Sequence, residues 1–285
     1  MAIKNILLPL TGDASGGGVA HWGMTFAKRI SAHISVGYED DLGPVYFTPD
    51  AAPLAAYGMF YAHLQKLRED RYALARQHFD GAVAATKMPI VSGPTCARGS
   101  TMWLDSGNAV TETFLDYAAL CDLLIVAAPG NNVAPSAWSI VDAALFRKRR
   151  PALIVPPGAE ATSFTRPLIA WNGSAESANA LRSALDLFSA DAKVTIVGVG
   201  KERPGRLPVT EAVGYLGWHC RESEVRTLAD KPNTTAAIIL EEAHRIGADC
   251  VVMGAYSHSR TREFLLGGVT DFMLRHSDLP MLMAH

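Results

Sequence analysis

Residues 248–259, ADCVVMGAYSHS, decide the fold, because a similar pattern occurs earlier in the chain as CDLLIVAAPGNN at residues 121–132. In each stretch an Asp precedes four or five apolar residues and a turn of small residues. A short run that is apolar throughout is typical of a strand buried on both faces of a sheet. The recurrence therefore predicts two homologous units, each containing such a strand.

Two further pairs of similar segments occur in the same order along the chain. Repetition in a fixed order predicts two repeats, residues 1–158 and 165–285. The Pro-, Ala-, Ser- and Thr-rich stretch 156–166 has the character of a linker between them. The further pairs are NILLPLTGDASGGG (5–18) with RPLIAWNGSAESAN (166–179), and RRPALIVPPG (149–158) with DLPMLMAH (278–285).

Each repeat is predicted to alternate strands and helices. In the second repeat, Ser174 is a good N-cap for a helix whose apolar residues follow helical spacing from Leu181 to Phe188. Apolar strands joined by helices predict an α/β fold of two tandem, doubly wound parallel-sheet domains, Rossmann-like and five-stranded. Ligands of such sheets bind beyond the carboxyl ends of the strands. The first repeat carries an additional long helical segment near residues 53–85.

The composition argues against several classes of function. A net charge of -2 gives no general attraction to nucleic acid or to an anionic membrane, so neither is expected as a partner. The apolar run at the start is too short for a secretory or membrane-spanning segment. The four cysteines form no CxxC pair, which argues against a disulfide or zinc framework. We therefore expect a cytoplasmic protein.

A glycine-containing loop follows the strand of residues 248–255. Gly254 ends the strand, and Gly267 and Gly268 precede a helix that begins near Val269. Glycine lets the backbone approach a ligand closely, and the N–H groups at a helix N-terminus favour an anion. The pattern predicts a phosphate-binding turn.

The spacing Gly254-x2-Ser257-x9-Gly267-Gly268 resembles that of the universal stress protein family, whose ATP-binding members carry Gly-x2-Gly-x9-Gly-Ser/Thr. The duplicated plan resembles the tandem, two-domain members, over nearly the whole chain. The resemblance implies a stress-response protein that binds ATP with Mg²⁺ in the second repeat, with slow or no hydrolysis. The implied nucleotide-binding residues are Asn172, Gly173, Val199, Met253, Gly254, Ser257, Ser259, Arg260, Gly267, Gly268 and Val269.

Three residues depart from the family pattern and predict a weakened site. Ser257 replaces a glycine, and Gly268 replaces a hydroxyl residue that would donate to a phosphate. Asn172 stands where the family has an Asp that contacts the base or ribose. One charge-assisted hydrogen bond is worth roughly 1.5–3 kcal/mol, so its loss weakens binding tenfold or more without abolishing it.

The first repeat is predicted not to bind ATP. Alignment on the proline before the last strand places Trp138 at the position of Gly267 and Ser139 at that of Gly268. The acid that ends the first strand in the family is Thr11 here. A tryptophan where the backbone must contact phosphate would block the ligand.

Two alternatives remain open from the sequence. One is a nucleotide-free interaction or scaffold protein that acts through dimer surfaces, and the other is a binder of another small molecule. No GxSxG motif supports a hydrolase, so no catalytic residue is assigned. A homodimer or an internal pseudo-dimer is expected. Trp171 and Trp218 are predicted to be core residues rather than platforms for adenine.

Overall fold

The computed structural model of the chain describes residues 3–40, 42, 54–94, 99–105, 114–129, 135–230, 234–255 and 268–285. Among the helices that these residues form, none is long and apolar enough to cross a bilayer. The strands are β1 (Asn5–Leu10), β2 (His33–Tyr38), β3 (Ser100–Trp103), β4 (Leu123–Ala127), β5 (Ala152–Val155), β6 (Pro167–Ala170), β7 (Val194–Val199), β8 (Ser223–Leu228), β9 (Cys250–Gly254) and β10 (Met281–Ala284). The α-helices are α1 (Gly16–Arg29), α2 (Leu54–Thr86), α3 (Pro135–Asp142), α4 (Ala175–Ala184), α5 (Val209–Trp218), α6 (Thr235–Arg245) and α7 (Gly268–His276).

The ten strands form one sheet in the order β3-β2-β1-β4-β5-β10-β9-β6-β7-β8. In each half of the sheet the strands run in the order third, second, first, fourth, fifth, and all neighbours within a half are parallel. The predicted fold class, two doubly wound α/β units in tandem, is confirmed. The long segment predicted near residues 53–85 forms α2.

The recurring Asp of the two similar stretches ties the fourth strand of each half to the start of the first strand. Asp122 accepts hydrogen bonds from the backbone N–H groups of Lys4 and Asn5, at 2.8 and 2.9 Å. Asp249 accepts the equivalent bonds from Thr165 at 2.6 Å and from Arg166 at 3.1 Å. These carboxylates satisfy N–H groups that precede the first strand, which explains why the pattern recurs with an Asp.

The inner strands are largely apolar because helices cover both faces of the sheet, whereas the edge strand β8 has exposed polar residues. Alternate residues of β4 illustrate this arrangement: Ile125 packs into the core under α1 and α4, whereas Leu124 packs into the core under α3, α6 and α7. Each of the two cores contains residues from both halves of the chain. The halves therefore share their hydrophobic interior rather than touching only at a surface.

The two halves meet at the antiparallel pair β5 and β10. Leu153 pairs with Leu282, and the neighbouring pairs are Ile154 with Met281 and Ala152 with Met283. Each strand covers the edge that the other would otherwise expose, which is the usual remedy for an unpaired edge. The chain thus contains the internal pseudo-dimer that was one of the two predicted assemblies.

Helix α5 and its last residue differ from the sequence expectations. The helix Val209–Trp218 was not predicted, and Trp218 is 88% exposed, so the prediction of a core tryptophan there is wrong. Trp171 is buried, as predicted, and its indole N–H donates to the carbonyl of Leu207 at 3.2 Å. The aromatic type alone does not distinguish a helix end from a strand end.

Phe164 anchors the linker between the halves to the first half. Its side chain is fully buried, and its ring centroid lies 5.3 Å from that of Phe26 on α1. The backbone of Phe164 has a φ of 46°, a value that residues other than glycine rarely adopt. Packing of this ring against α1 holds the linker in a conformation that the backbone alone disfavours.

We expect Phe164→Ala to lower the free energy of unfolding by about 3–5 kcal/mol, because it removes a buried ring and leaves a cavity. Chemical denaturation followed by circular dichroism measures the change. The matched control is Trp218→Ala, at an exposed ring, which we expect to change stability by less than about 0.5 kcal/mol. Equal midpoints for Phe164→Ala and wild type would show that the linker does not anchor the halves.

Candidate functional site

A cavity of about 260 Å³ lies at the carboxyl ends of β6, β7 and β9 and at the N-terminus of α7. In a doubly wound sheet this is the edge where ligands bind. Six of the eleven residues predicted from the sequence line this cavity, and they come from four separate segments of the chain. The six are Asn172, Val199, Met253, Gly254, Gly268 and Val269.

The other predicted residues divide into two groups. Gly173 directly follows Asn172 in sequence but is not among the lining residues. Ser257, Ser259, Arg260 and Gly267 lie outside the described residues. The structure therefore shows where the predicted residues at the strand ends and at the start of α7 lie. The role predicted for the residues of the loop between them stays a prediction.

The end of β6 is shaped by a local turn that leads into α4. The side-chain carbonyl of Asn172 accepts a hydrogen bond from the backbone N–H of Ser174 at 3.1 Å. Gly173 has a φ of 70°, which glycine adopts without strain. Ser174 caps α4 as predicted, since its hydroxyl accepts from the N–H of Ser177 at 3.2 Å. The Asn172 carbonyl, expected to serve a ligand, thus also stabilises this turn.

Gly254 is required by packing as well as by any ligand. A Cβ atom placed on this residue would lie 2.5 Å from the backbone nitrogen of Ser177 and 2.6 Å from the carbonyl carbon of Glu176. Both atoms belong to the first turn of α4, which rests directly on the end of β9. A larger residue at position 254 would displace α4, so its effect on a ligand would not be specific.

Gly268 differs from Gly254 in this respect. A Cβ atom on Gly268 would meet no atom of the described residues within 4 Å, and the residue begins α7. The first N–H groups of a helix have no partners within the helix, and its dipole favours an anion there. The start of α7 therefore offers the cavity the chemistry of an anion site, without the hydroxyl group that the family pattern has at this position.

Residues 200–208 form a further wall that sequence reasoning missed. The backbone N–H of Leu207 donates to the carbonyl of Gly173 at 3.1 Å, which folds this loop over the end of β6. The loop brings Lys201, Arg203 and Arg206 to the cavity. The basic residues between a strand and a helix could have indicated an anion site in this loop. Their spacing in the sequence, however, does not show that the loop lies near the glycine-containing loop after β9.

Two acidic residues also line the cavity, and each accepts a hydrogen bond. Glu202 accepts from the backbone N–H of Val209 at 2.8 Å, at the start of α5. Asp230 accepts from the hydroxyl of Thr235 at 3.0 Å. The described residues include no group of three His, Cys, Asp or Glu side chains that could hold a metal. The described residues supply no metal cage here, so a Mg²⁺ ion held by them alone would depend on the phosphates of its ligand.

The same edge of the first half is covered by α2. A Cβ atom on Gly12, which follows β1, would lie 2.0 Å from the carbonyl oxygen of Arg71 on α2. His78 of the same helix lies against Gly16, at the start of α1. The long helix thus packs onto the strand end where the second half has its cavity.

Trp138 has a role that the sequence did not reveal. The guanidinium of Arg275 on α7 lies 4.6 Å from the centre of its ring, a cation–π contact between the two halves. The sequence predicted that the first half has no nucleotide site, on the basis of Trp138. The covering of the strand end by α2 favours the same prediction, which stays a prediction.

A buried carboxyl group lies next to the covered edge of the first half. Glu39, just after β2, is 5% exposed, and it accepts a hydrogen bond from the N–H of Leu115 at 2.9 Å. Burial raises the pKa of Glu39 to about 7, and the charges of Asp116 and Asp40 act in the same direction. The hydrogen bond from Leu115 and the charge of Lys148 oppose this rise in pKa.

The raised pKa predicts a pH dependence of stability. A carboxyl whose pKa is higher in the folded protein is bound to its proton more tightly there, so its contribution favours folding at low pH. That contribution is lost as the pH rises from 4.5 to about 7. Glu39→Gln removes the titration and keeps an acceptor for Leu115. We expect its stability relative to wild type to rise over this range by roughly 3 kcal/mol at most.

Denaturation at pH 4.5, 6 and 8 tests this expectation. Glu241→Gln, at an exposed site on α6, is the matched control, and its difference from wild type should stay constant over the series. A constant difference for Glu39→Gln as well would mean that Glu39 does not titrate in this range.

Comparisons with known proteins agree with this architecture. The sequence model of the universal stress protein family matches residues 223–285, which include β8, β9 and β10 and the cavity residues Gly254, Gly268 and Val269. No curated protein matches the chain in sequence.

Solved structures resemble the chain over nearly its whole length. A universal stress protein from Archaeoglobus fulgidus DSM 4304 is 14% identical with a TM-score of 0.64, and the match covers 98% of this chain and 97% of that chain. A universal stress protein from Pseudomonas aeruginosa UCBPP-PA14 is 16% identical with a TM-score of 0.51, over 99% of this chain and 93% of that chain. At these identities the likeness shows the fold. Together with the sequence match, it confirms the predicted resemblance to the tandem type.

Proposed function

Since residues 223–285 carry the sequence pattern of the universal stress protein family and the whole chain has its tandem fold, we propose a stress-response protein that binds an adenine nucleotide in its second half. The nucleotide acts as a signal that changes the protein's conformation or its partners, and it is not turned over at a significant rate. ATP with Mg²⁺ is the first ligand to test.

The cavity supports this proposal most directly. The ends of three neighbouring strands and the start of α7 converge on it, and its lining combines apolar residues, glycine backbone and cations. Apolar surface suits a base, and the free N–H groups of a helix N-terminus suit phosphates.

A nucleotide-free scaffold that acts through dimer surfaces is the alternative function. It makes the opposite prediction for the cavity, because a scaffold would keep its function when the cavity is filled. A single substitution at the cavity therefore separates the two functions.

We expect Gly268→Leu to abolish or strongly weaken ATP binding while leaving the fold intact. The new side chain would enter the cavity at the start of α7 and occupy the volume of the ligand, without a collision with the backbone of the described residues. Isothermal titration with ATP and Mg²⁺ measures the affinity, and the thermal midpoint measures the fold. Gly214→Leu is the matched control, because Gly214 also has nothing within 4 Å and lies on α5 away from the cavity lining.

Heat of binding in wild type and Gly214→Leu, and none in Gly268→Leu, would support the proposal. No binding of ATP or of any other adenine nucleotide to wild type at millimolar concentration would overturn it and favour the scaffold. Equal affinities for all three proteins would mean that ATP binds elsewhere.

A further inference from the structure

Two basic side chains of loop 200–208 make no direct contact that the fold requires. Lys201 and Arg206 line the cavity, and neither side chain has an ion-pair or hydrogen-bond partner among the residues that the structure describes. The two carboxylates in the same lining accept hydrogen bonds from other groups, Glu202 from the N–H of Val209 and Asp230 from the hydroxyl of Thr235. The cavity therefore has two cationic side chains that are not directly paired with these carboxylates.

The order of the strands determines which part of a nucleotide each residue would meet. Along this edge the order is β9, β6, β7 and β8, and neighbouring strands are about 4.8 Å apart. Phosphates at the end of β9 and at the start of α7 place the sugar over β6, one strand away. The base then lies over β7, near Val199, and toward β8.

Arg206 lies at the level of the sugar. A Cβ atom on Gly173, directly after β6, would come within 2.8 Å of the Cβ of Arg206. The Arg206 side chain thus starts above the end of β6, and Lys201 starts just after the end of β7. Asn172, also at the end of β6, carries no charge of its own.

An unmodified ribose presents neutral hydroxyl groups to these residues, and it offers Lys201 and Arg206 no charged partner. A phosphate on the ribose would pair with them, because the guanidinium group of arginine binds phosphate in a bidentate manner. In other doubly wound folds an arginine at the ribose accommodates a 2′-phosphate, whereas an acid at that place binds the free hydroxyl. Here Asn172 brings no negative charge to the end of β6, and Arg206 lies next to the following residue, Gly173.

We propose that the cavity prefers an adenine nucleotide that carries a second phosphate on its ribose, at the 2′ or the 3′ position. Arg206 and Lys201 bind that phosphate, while the start of α7 binds the 5′-phosphate. The inference rests on the proposed function, because it assumes that the cavity takes an adenine nucleotide in this orientation.

Titration of wild type with AMP, adenosine 2′,5′-bisphosphate and adenosine 3′,5′-bisphosphate tests the inference and distinguishes the two positions. We expect at least one bisphosphate to bind roughly 10- to 100-fold more tightly than AMP, the range for a charge-assisted hydrogen bond. Arg206→Gln should remove most of this ratio of affinities. Lys201→Gln should remove a smaller part of the ratio.

Arg182→Gln, at an exposed site on α4 outside the cavity lining, is the matched control and should keep the full ratio. Equal affinities of wild type for AMP and both bisphosphates would overturn the inference and leave the proposed function standing. If Arg206→Gln lowered the affinity for all three ligands equally, the inference would also be overturned, because Arg206 would then bind the 5′-phosphate that all three share. If neither ATP nor any of these ligands binds, the proposed function fails with it.

Discussion

The antiparallel pairing of β5 with β10 is the constraint on which the rest of the structure depends. Each half of the chain is a five-stranded sheet whose fifth strand would otherwise be an exposed apolar edge. Pairing the two edges gives their backbone N–H and C=O groups hydrogen-bond partners and makes one sheet of ten strands. It also lets both hydrophobic cores run through both halves, so that helices of one half contact those of the other, as Arg275 of α7 contacts Trp138 of α3.

Two halves with the same strand order nevertheless have different strand ends. The connection from the second to the third strand contains α2, a helix of 33 residues, in the first half and α5, of ten residues, in the second. Helix α2 packs onto the turn after β1, so Gly12 meets the backbone of Arg71. In the second half the loop before α5 leaves a cavity and adds cations to its wall. Helix α2 thus covers one of the two equivalent edges, and the described residues at the other edge enclose a cavity.

Part of the candidate site followed from the sequence because it lies in local patterns. Gly254 and Gly268 were recognisable from their spacing, and Asn172 from its place after an apolar run. The two glycines looked equivalent in sequence, yet Gly254 supports the packing of α4, whereas a Cβ on Gly268 would meet none of the described residues. Arg206 was missed, because its proximity to Gly173 depends on how a loop folds back over a strand end. Such contacts between distant segments leave no periodic signal.

The sequence by itself determined the duplication, the apolar strands, the recurring Asp122 and Asp249, and the caps and glycines at the strand ends. These features follow from local rules of burial and backbone conformation, which a short window of residues already contains. Only the tertiary structure decided that the two sheets join through β5 and β10, that α2 covers one edge, and that Lys201 and Arg206 face the other. The physical reason is that these outcomes depend on which surfaces remain to be covered once the strands have paired.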